Sequence, residues 1–143
     1  MEKALIDNLS QFLLELGKGF TYVGRQQRIN IGGRIFKIDL VFYHRILKCF
    51  VLIDLKRGEV QHEDIGQMNL YLNYYREEMN TPGDTEPIGI VMGAYEDKLM
   101  VKYATQNISN QLFVSRYQLY LPDKGQLENE IRRFMDADAA REN

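Results

Sequence analysis

Ile35-Phe36-Lys37-Ile38-Asp39-Leu40-Val41-Phe42-Tyr43 and Lys48-Cys49-Phe50-Val51-Leu52-Ile53-Asp54-Leu55-Lys56 are two runs rich in β-branched and aromatic residues, separated by four residues. Such residues suit a pleated, half-buried surface, so each run predicts a strand. The unbroken Cys-Phe-Val-Leu-Ile of the second predicts a central strand covered on both faces. If the two pair antiparallel through a tight connection centred between Ile46 and Leu47, residues whose numbers sum to 93 face each other, and Asp39 faces Asp54. Their Cβ atoms would then lie about 5 Å apart on one face. Lys56, two positions beyond Asp54, projects from that face roughly 7 Å along the strand. A slip of one residue would undo the arrangement.

Outward from this pair, Leu5, Leu9, Phe12, Leu13 and Leu16 recur at helical spacing before Gly17 and Gly19, which predicts an amphipathic helix over residues 2–17. Phe20 to Ile31 reads as a strand that turns at Gly32-Gly33 into the Ile35–Tyr43 run. Asp64 to Glu78 is a helix, with Ile65, Met68, Leu72 and Tyr75 on one face, ended by the turn residues Thr81-Pro82-Gly83-Asp84. Pro87 to Met92 is a short buried strand, Leu99 to Ala104 is ambiguous between strand and short helix and leans to helix, and Leu112 to Tyr120 reads as a last strand. Gln126 to Asp136 is a C-terminal helix. The order is that of an α/β or α+β domain, a mixed sheet flanked by helices, with residues 1–143 as one unit.

A net charge of −2 conceals a polarised chain. Between Arg25 and Arg57 stand eight basic residues and two acids; the remainder has ten basic residues and eighteen acids. The two acids in the basic stretch are Asp39 and Asp54. Cations around two isolated carboxylates suit phosphate binding with a metal at the centre, although cations also solvate the outer face of any hairpin. The single cysteine, Cys49, leaves no disulfide framework or cysteine metal cluster and reads as a core side chain. Without a signal-like N-terminus or a long apolar run, a soluble, cytoplasmic protein is expected, with no membrane association.

In-line attack on a phosphodiester needs this set of groups. Asp39 and Asp54 would be ligands to a hard cation such as Mg²⁺, with the backbone carbonyl of Leu55 between them as a further ligand. The Lys56 ammonium would orient the attacking water and stabilise charge growing on the phosphate. Gln67 and Tyr71, four apart on one helix face, would contact phosphate or support the metal face. For Asp-x-Lys in isolation the ordinary reading is a strand-end salt bridge.

These residues resemble the PD-(D/E)XK nuclease superfamily, whose signature is an acid on one strand and acid-x-Lys on the next. Here it stands as Ile38-Asp39-Leu40 and Asp54-Leu55-Lys56, with Gln67-Met-Asn-Leu-Tyr71 similar to the Gln-x-x-x-Tyr motif of the RecB-like and exonuclease branches. Leu-Leu-Glu-Leu-Gly-Lys-Gly-Phe, Tyr-Val-Gly-Arg-Gln, Ile-Asp-Leu-Val-Phe-Tyr-His-Arg and Gly-Gln-Met-Asn-Leu-Tyr-Leu look like the C-terminal nuclease domain of YhcG-like bacterial proteins, from about Leu13 to Pro122. The resemblance implies a restriction-endonuclease-like α-β-β-β-α-β core, dependence on Mg²⁺ or Mn²⁺, and a nucleic-acid partner, expected to be DNA, in defence or DNA maintenance. It also implies a separate N-terminal domain in longer relatives, and cutting of both strands would suit a homodimer. Asp54 departs from the more usual Glu. A first-helix acid often assists the metal in this superfamily; Glu15 is the preferred candidate, ahead of Asp7 and Glu2. Arg25 and Gln26, in the matched Val-Gly-Arg-Gln segment, are candidate nucleic-acid contacts, as are Arg57 and His44, the last behind an ordinary exposed histidine. A nuclease-fold module that binds nucleic acid or protein without cutting is the alternative.

Overall fold

The computed structural model describes residues 2–16, 19–95, 98–104, 121–122 and 125–133. Helix α1 (Glu2–Leu16) leads into strands β1 (Phe20–Ile31), β2 (Arg34–His44) and β3 (Cys49–Arg57). Helix α2 (His62–Tyr74) runs on into a π-helical turn, Tyr75–Met79, and is followed by β4 (Ile88–Tyr95) and β5 (Lys98–Ala104). Residues 125–133 form α3. The fold is α+β, a mixed five-stranded sheet in the order β1-β2-β3-β4-β5.

The β1–β2 turn follows from Gly32 and Gly33, whose φ angles of 58° and 83° are the left-handed conformations that a two-residue hairpin loop needs at both central positions. β2 and β3 pair antiparallel from Leu40↔Ile53 to His44↔Cys49, the register expected from the sequence. β3 pairs parallel with β4, which requires the long crossover that contains α2. β3 is therefore central, and its alternate residues enter two cores. Val51 and Ile53 pack with Ile6, Leu9 and Leu13 of α1 and with Leu127 and Ile131 of α3. Leu52 packs on the other side with Met68, Leu72 and Tyr75. Each such side chain contributes roughly 1.5–3 kcal/mol on burial.

Residues 99–104 are the main departure from expectation. They are strand, not helix, paired antiparallel to β4 from Gly89↔Ala104 to Tyr95↔Lys98. Leu99, Val101 and Tyr103 alternate, but so short a run has no period that separates strand from helix, and the exposed edge of β4 decides it. The expected strand over 112–120 lies outside the described residues, as does the part of the expected C-terminal helix over 134–136.

Candidate active site

Although the β2–β3 ladder is in register, its backbone pairing stops at Leu40↔Ile53. Beyond that point β2 continues with β1 as a hairpin, while β3 continues with β4. Asp39 and Asp54 stand where this fork opens, and their carboxylates replace the next rungs. The Asp39 backbone N–H donates to Asp54 Oδ1 at 3.1 Å, and the Leu55 N–H donates to Asp39 Oδ2 at 2.8 Å. Each carboxylate is thus held by the opposite strand.

The pleat of β2 breaks at the same residue. Ile38 is buried on the α2 side, whereas Leu40 is buried on the α1 side, although residues two apart on a regular strand share a face. Across from Asp39, Gln26 has φ 52°, and the β1–β2 ladder lacks this one rung while keeping its register on either side. From this conformation the Gln26 side-chain amide donates to Asp39 Oδ1 at 2.9 Å. The backbone reversal on β1 and the carboxylate on β2 form one local unit.

The cleft in the fork, about 330 Å³, is lined by Ile35, Phe36, Lys37, Asp39, Asp54, Leu55, Lys56, Gln67 and Tyr71. The strand motif and both helix residues singled out by sequence therefore meet in one place. Lys56 Nζ lies 3.3 Å from Asp64 Oδ1. The other oxygen of Asp64 accepts the Gln61 N–H at 2.8 Å, so the start of α2 is tied to the lysine. Phe36 packs edge-on against Tyr71 with ring centroids 5.8 Å apart.

Asp54 is 7% exposed. Burial, with Asp39 and Asp64 as neighbouring carboxylates, pushes its carboxyl up to about 7 against the opposing pull of the Asp39 N–H and Lys56. Burial, with Asp54 and Asp39 close by, pushes the Tyr71 hydroxyl up to about 12. This corner of the cleft favours cations over further negative charge. Two carboxylates with the adjacent Leu55 carbonyl make a hard oxygen donor set, and no group of three His, Cys, Asp or Glu suited to a metal occurs among the described residues. That set fits Mg²⁺ or Mn²⁺, for which one or two carboxylates suffice when water and phosphate complete the shell.

Four other sequence candidates lie elsewhere or have other partners. His44 is fully buried, not a phosphate contact. It sits at the far end of β2, where Nδ1 accepts the Leu47 N–H at 3.1 Å and the ring packs edge-on against Phe20. Glu15 lines a different cleft, between α1 and α3, and accepts a hydrogen bond from Gln11 at 3.2 Å. The acid of α1 that reaches β1 is Asp7, paired with Arg25, so that arginine is engaged within the fold. The side chain of Arg57 lies outside the described residues. Sequence reasoning missed Gln26 as a partner of Asp39, took Asp64 only as the start of a helix, and counted Lys37 only among the cations of the basic stretch. For Asp64 a signal existed, an acid in the first turn of a helix that follows the motif lysine.

The family model for the YhcG PDDEXK nuclease domain matches residues 1–132. "Putative nuclease YhcG" of Escherichia coli (strain K12) is 42% identical over 132 residues, which is 92% of this chain and 35% of that protein. This chain thus spans about a third of its curated relative. Among solved structures, a repair endonuclease from Pyrococcus abyssi is 18% identical at a TM-score of 0.45, covering 62% of this chain and 37% of that one. SSO0001 is 15% identical at a TM-score of 0.43, covering 85% and 59%. By its match across nearly the whole sequence, the chain belongs to the YhcG PDDEXK nuclease domain family.

Proposed function

We propose that this domain is a divalent-cation-dependent nuclease that hydrolyses phosphodiester bonds of DNA. The observation that carries the reading is the reciprocal bonding of Asp39 and Asp54 at the fork, with Lys56 in the same cleft. Each carboxylate oxygen can accept more than one partner, so bonds from Gln26, Leu55 and Asp39 orient the aspartates and leave acceptor capacity for a cation. Asp39, Asp54 and the Leu55 carbonyl would hold Mg²⁺ or Mn²⁺. That ion, when bound, supplies Lewis-acid polarisation of a phosphate oxygen and of water.

Lys56 is the cation this chain provides for charge that grows on the phosphate as a water oxygen bonds to phosphorus and the bond to the leaving oxygen breaks. Asp64 aims that ammonium. Gln67 and Tyr71, projecting from α2, offer hydrogen bonds to non-bridging phosphate oxygens. Tyr71, raised to about 12, stays a donor throughout the neutral range.

Purified protein with linear, circular, single-stranded and branched DNA should cleave at least one of them with Mn²⁺ and none with EDTA. Asp54→Ala and Lys56→Ala should each lower the rate by at least about a hundredfold, with circular dichroism spectra unchanged. Cleavage that persists in both variants would sink the assignment. DNA binding without cleavage in the unaltered protein would leave a non-cutting module.

A further inference from the structure

The β1–β2 hairpin projects past the fork, and one of its faces is not used by the core. Ile29, Ile31, Phe36 and Ile38 face α2. The opposite face presents Arg28, Asn30, Ile35 and Lys37, all exposed. In the ladder Arg28 stands directly across from Lys37, and Asn30 across from Ile35. Like charges directly opposite on a strand pair destabilise it, so stability does not account for this pair. No acid occurs anywhere from Phe20 to Ile38 to offset it. Among the described residues neither cation makes an ion pair, whereas Arg25, on the same strand, is paired with Asp7.

Lys37 and Ile35 are also part of the wall of the cleft that holds Asp39 and Asp54. The cationic face is thus continuous with the candidate active site. Ile35 is 66% exposed, more than any other large apolar side chain among the described residues. It stands two rungs beyond the cation pair, on the same face, where a base or sugar would cover it.

We infer that the outer face of the β1–β2 hairpin binds the phosphate backbone of nucleic acid flanking the bond to be cut, with Arg28 and Lys37 as a two-cation clamp. A two-stranded ribbon is narrow enough to follow a groove of duplex DNA while its cations reach phosphates. The inference takes its ligand class from the proposed function, but binding can be measured without cleavage.

The test is fluorescence anisotropy with labelled duplex DNA, single-stranded DNA and RNA, in Ca²⁺ and in EDTA, across a series of salt concentrations. Each phosphate contact contributes about 0.9 to the slope of log affinity against log salt on duplex DNA. Arg28→Ala/Lys37→Ala should lower the magnitude of that slope by about 1.8 and weaken duplex binding at least about tenfold near 0.1 M salt. Lys102→Ala, which removes an exposed cation on β5, should leave both unchanged. Thermal melts exclude misfolding, since removing a like-charge pair should not lower the melting temperature.

A larger effect on single strands or RNA than on duplex would identify the source of the phosphates and retain the clamp. An unchanged slope in the double variant, an equal loss in Lys102→Ala, or no nucleic-acid binding by the unaltered protein would overturn it. Binding with the expected slope but no cleavage would overturn the nuclease reading and leave the clamp standing.

Discussion

Asp54 combines two demands that conflict in the absence of a cation. Its carboxyl is buried beside Asp39, and burial raises it from 3.8 to about 7. The folded state therefore binds the proton more tightly than the unfolded state. The stabilising contribution is fully present below about pH 3.8 and is lost as the pH rises through about 7. The shift corresponds to a cost on the order of 4 kcal/mol when Asp54 is ionised. Asp54→Asn keeps an oxygen that can accept the Asp39 N–H and removes the charge. In EDTA at pH 7.5 it should be more stable than the unaltered protein, with the difference shrinking towards zero by pH 4. Urea denaturation across that range measures it. Gln26 holds Asp39 without lining the cleft. Gln26→Ala should weaken Mn²⁺ binding roughly ten- to a hundredfold. Titration calorimetry reads this, and a melting temperature in EDTA that moves little separates it from loss of fold.

At the scale of elements, the two ends of the β2–β3 ladder are built by different means. The fork end is held by carboxylates and the turn end by a buried ring. Gly19 has φ +114°, and a Cβ there would lie 2.6 Å from His44 Cε1. The Gly19 carbonyl also accepts the Arg45 N–H at 2.8 Å, which ties the start of β1 to the β2–β3 turn. Gly19→Ala combines backbone strain with a clash in the core, and should cost about 2–4 kcal/mol in urea unfolding with an unchanged m-value. At the next turn, Asp84 accepts hydrogen bonds from the Thr81 N–H at 2.9 Å and the Tyr43 hydroxyl at 2.5 Å. Both bonds hold the Asp84 carboxyl below its ordinary value, and the bond to Asp84, with burial, pushes the Tyr43 hydroxyl up to about 12. The strands and α2 were legible in the sequence because their periodicity is local. Strand β5 was not, because seven residues of mixed character become a strand only when β4 offers an edge.

The whole molecule divides its two faces between support and chemistry. Helices α1 and α3 cover one side of the sheet, while α2 covers the other and brings Gln67 and Tyr71 over the fork. None of the described helices is long and apolar enough to cross a membrane. Because the proposed cation binds only the folded domain, Mn²⁺ at about 100 times its dissociation constant should stabilise the protein by about 2.7 kcal/mol. A rise in melting temperature with Mn²⁺ that is absent in Asp54→Asn would be the expected pair of results; equal rises would place the ion elsewhere. The sequence by itself determined that the two motif strands pair antiparallel with Asp39 near Asp54, because a connection of four residues between two apolar runs leaves room only for a tight turn. It also determined which residues could meet, since Asp39, Asp54, Lys56, Gln67 and Tyr71 lie on elements that follow one another directly. Only the tertiary structure decided what each group touches. Partners such as Gln26 for Asp39, Asp64 for Lys56, Asp7 for Arg25 and Phe20 for His44 come from other elements, and the break in the pleat at Asp39 arises from two strands jointly. Contacts of that kind depend on packing across the chain, which no local pattern of residues records.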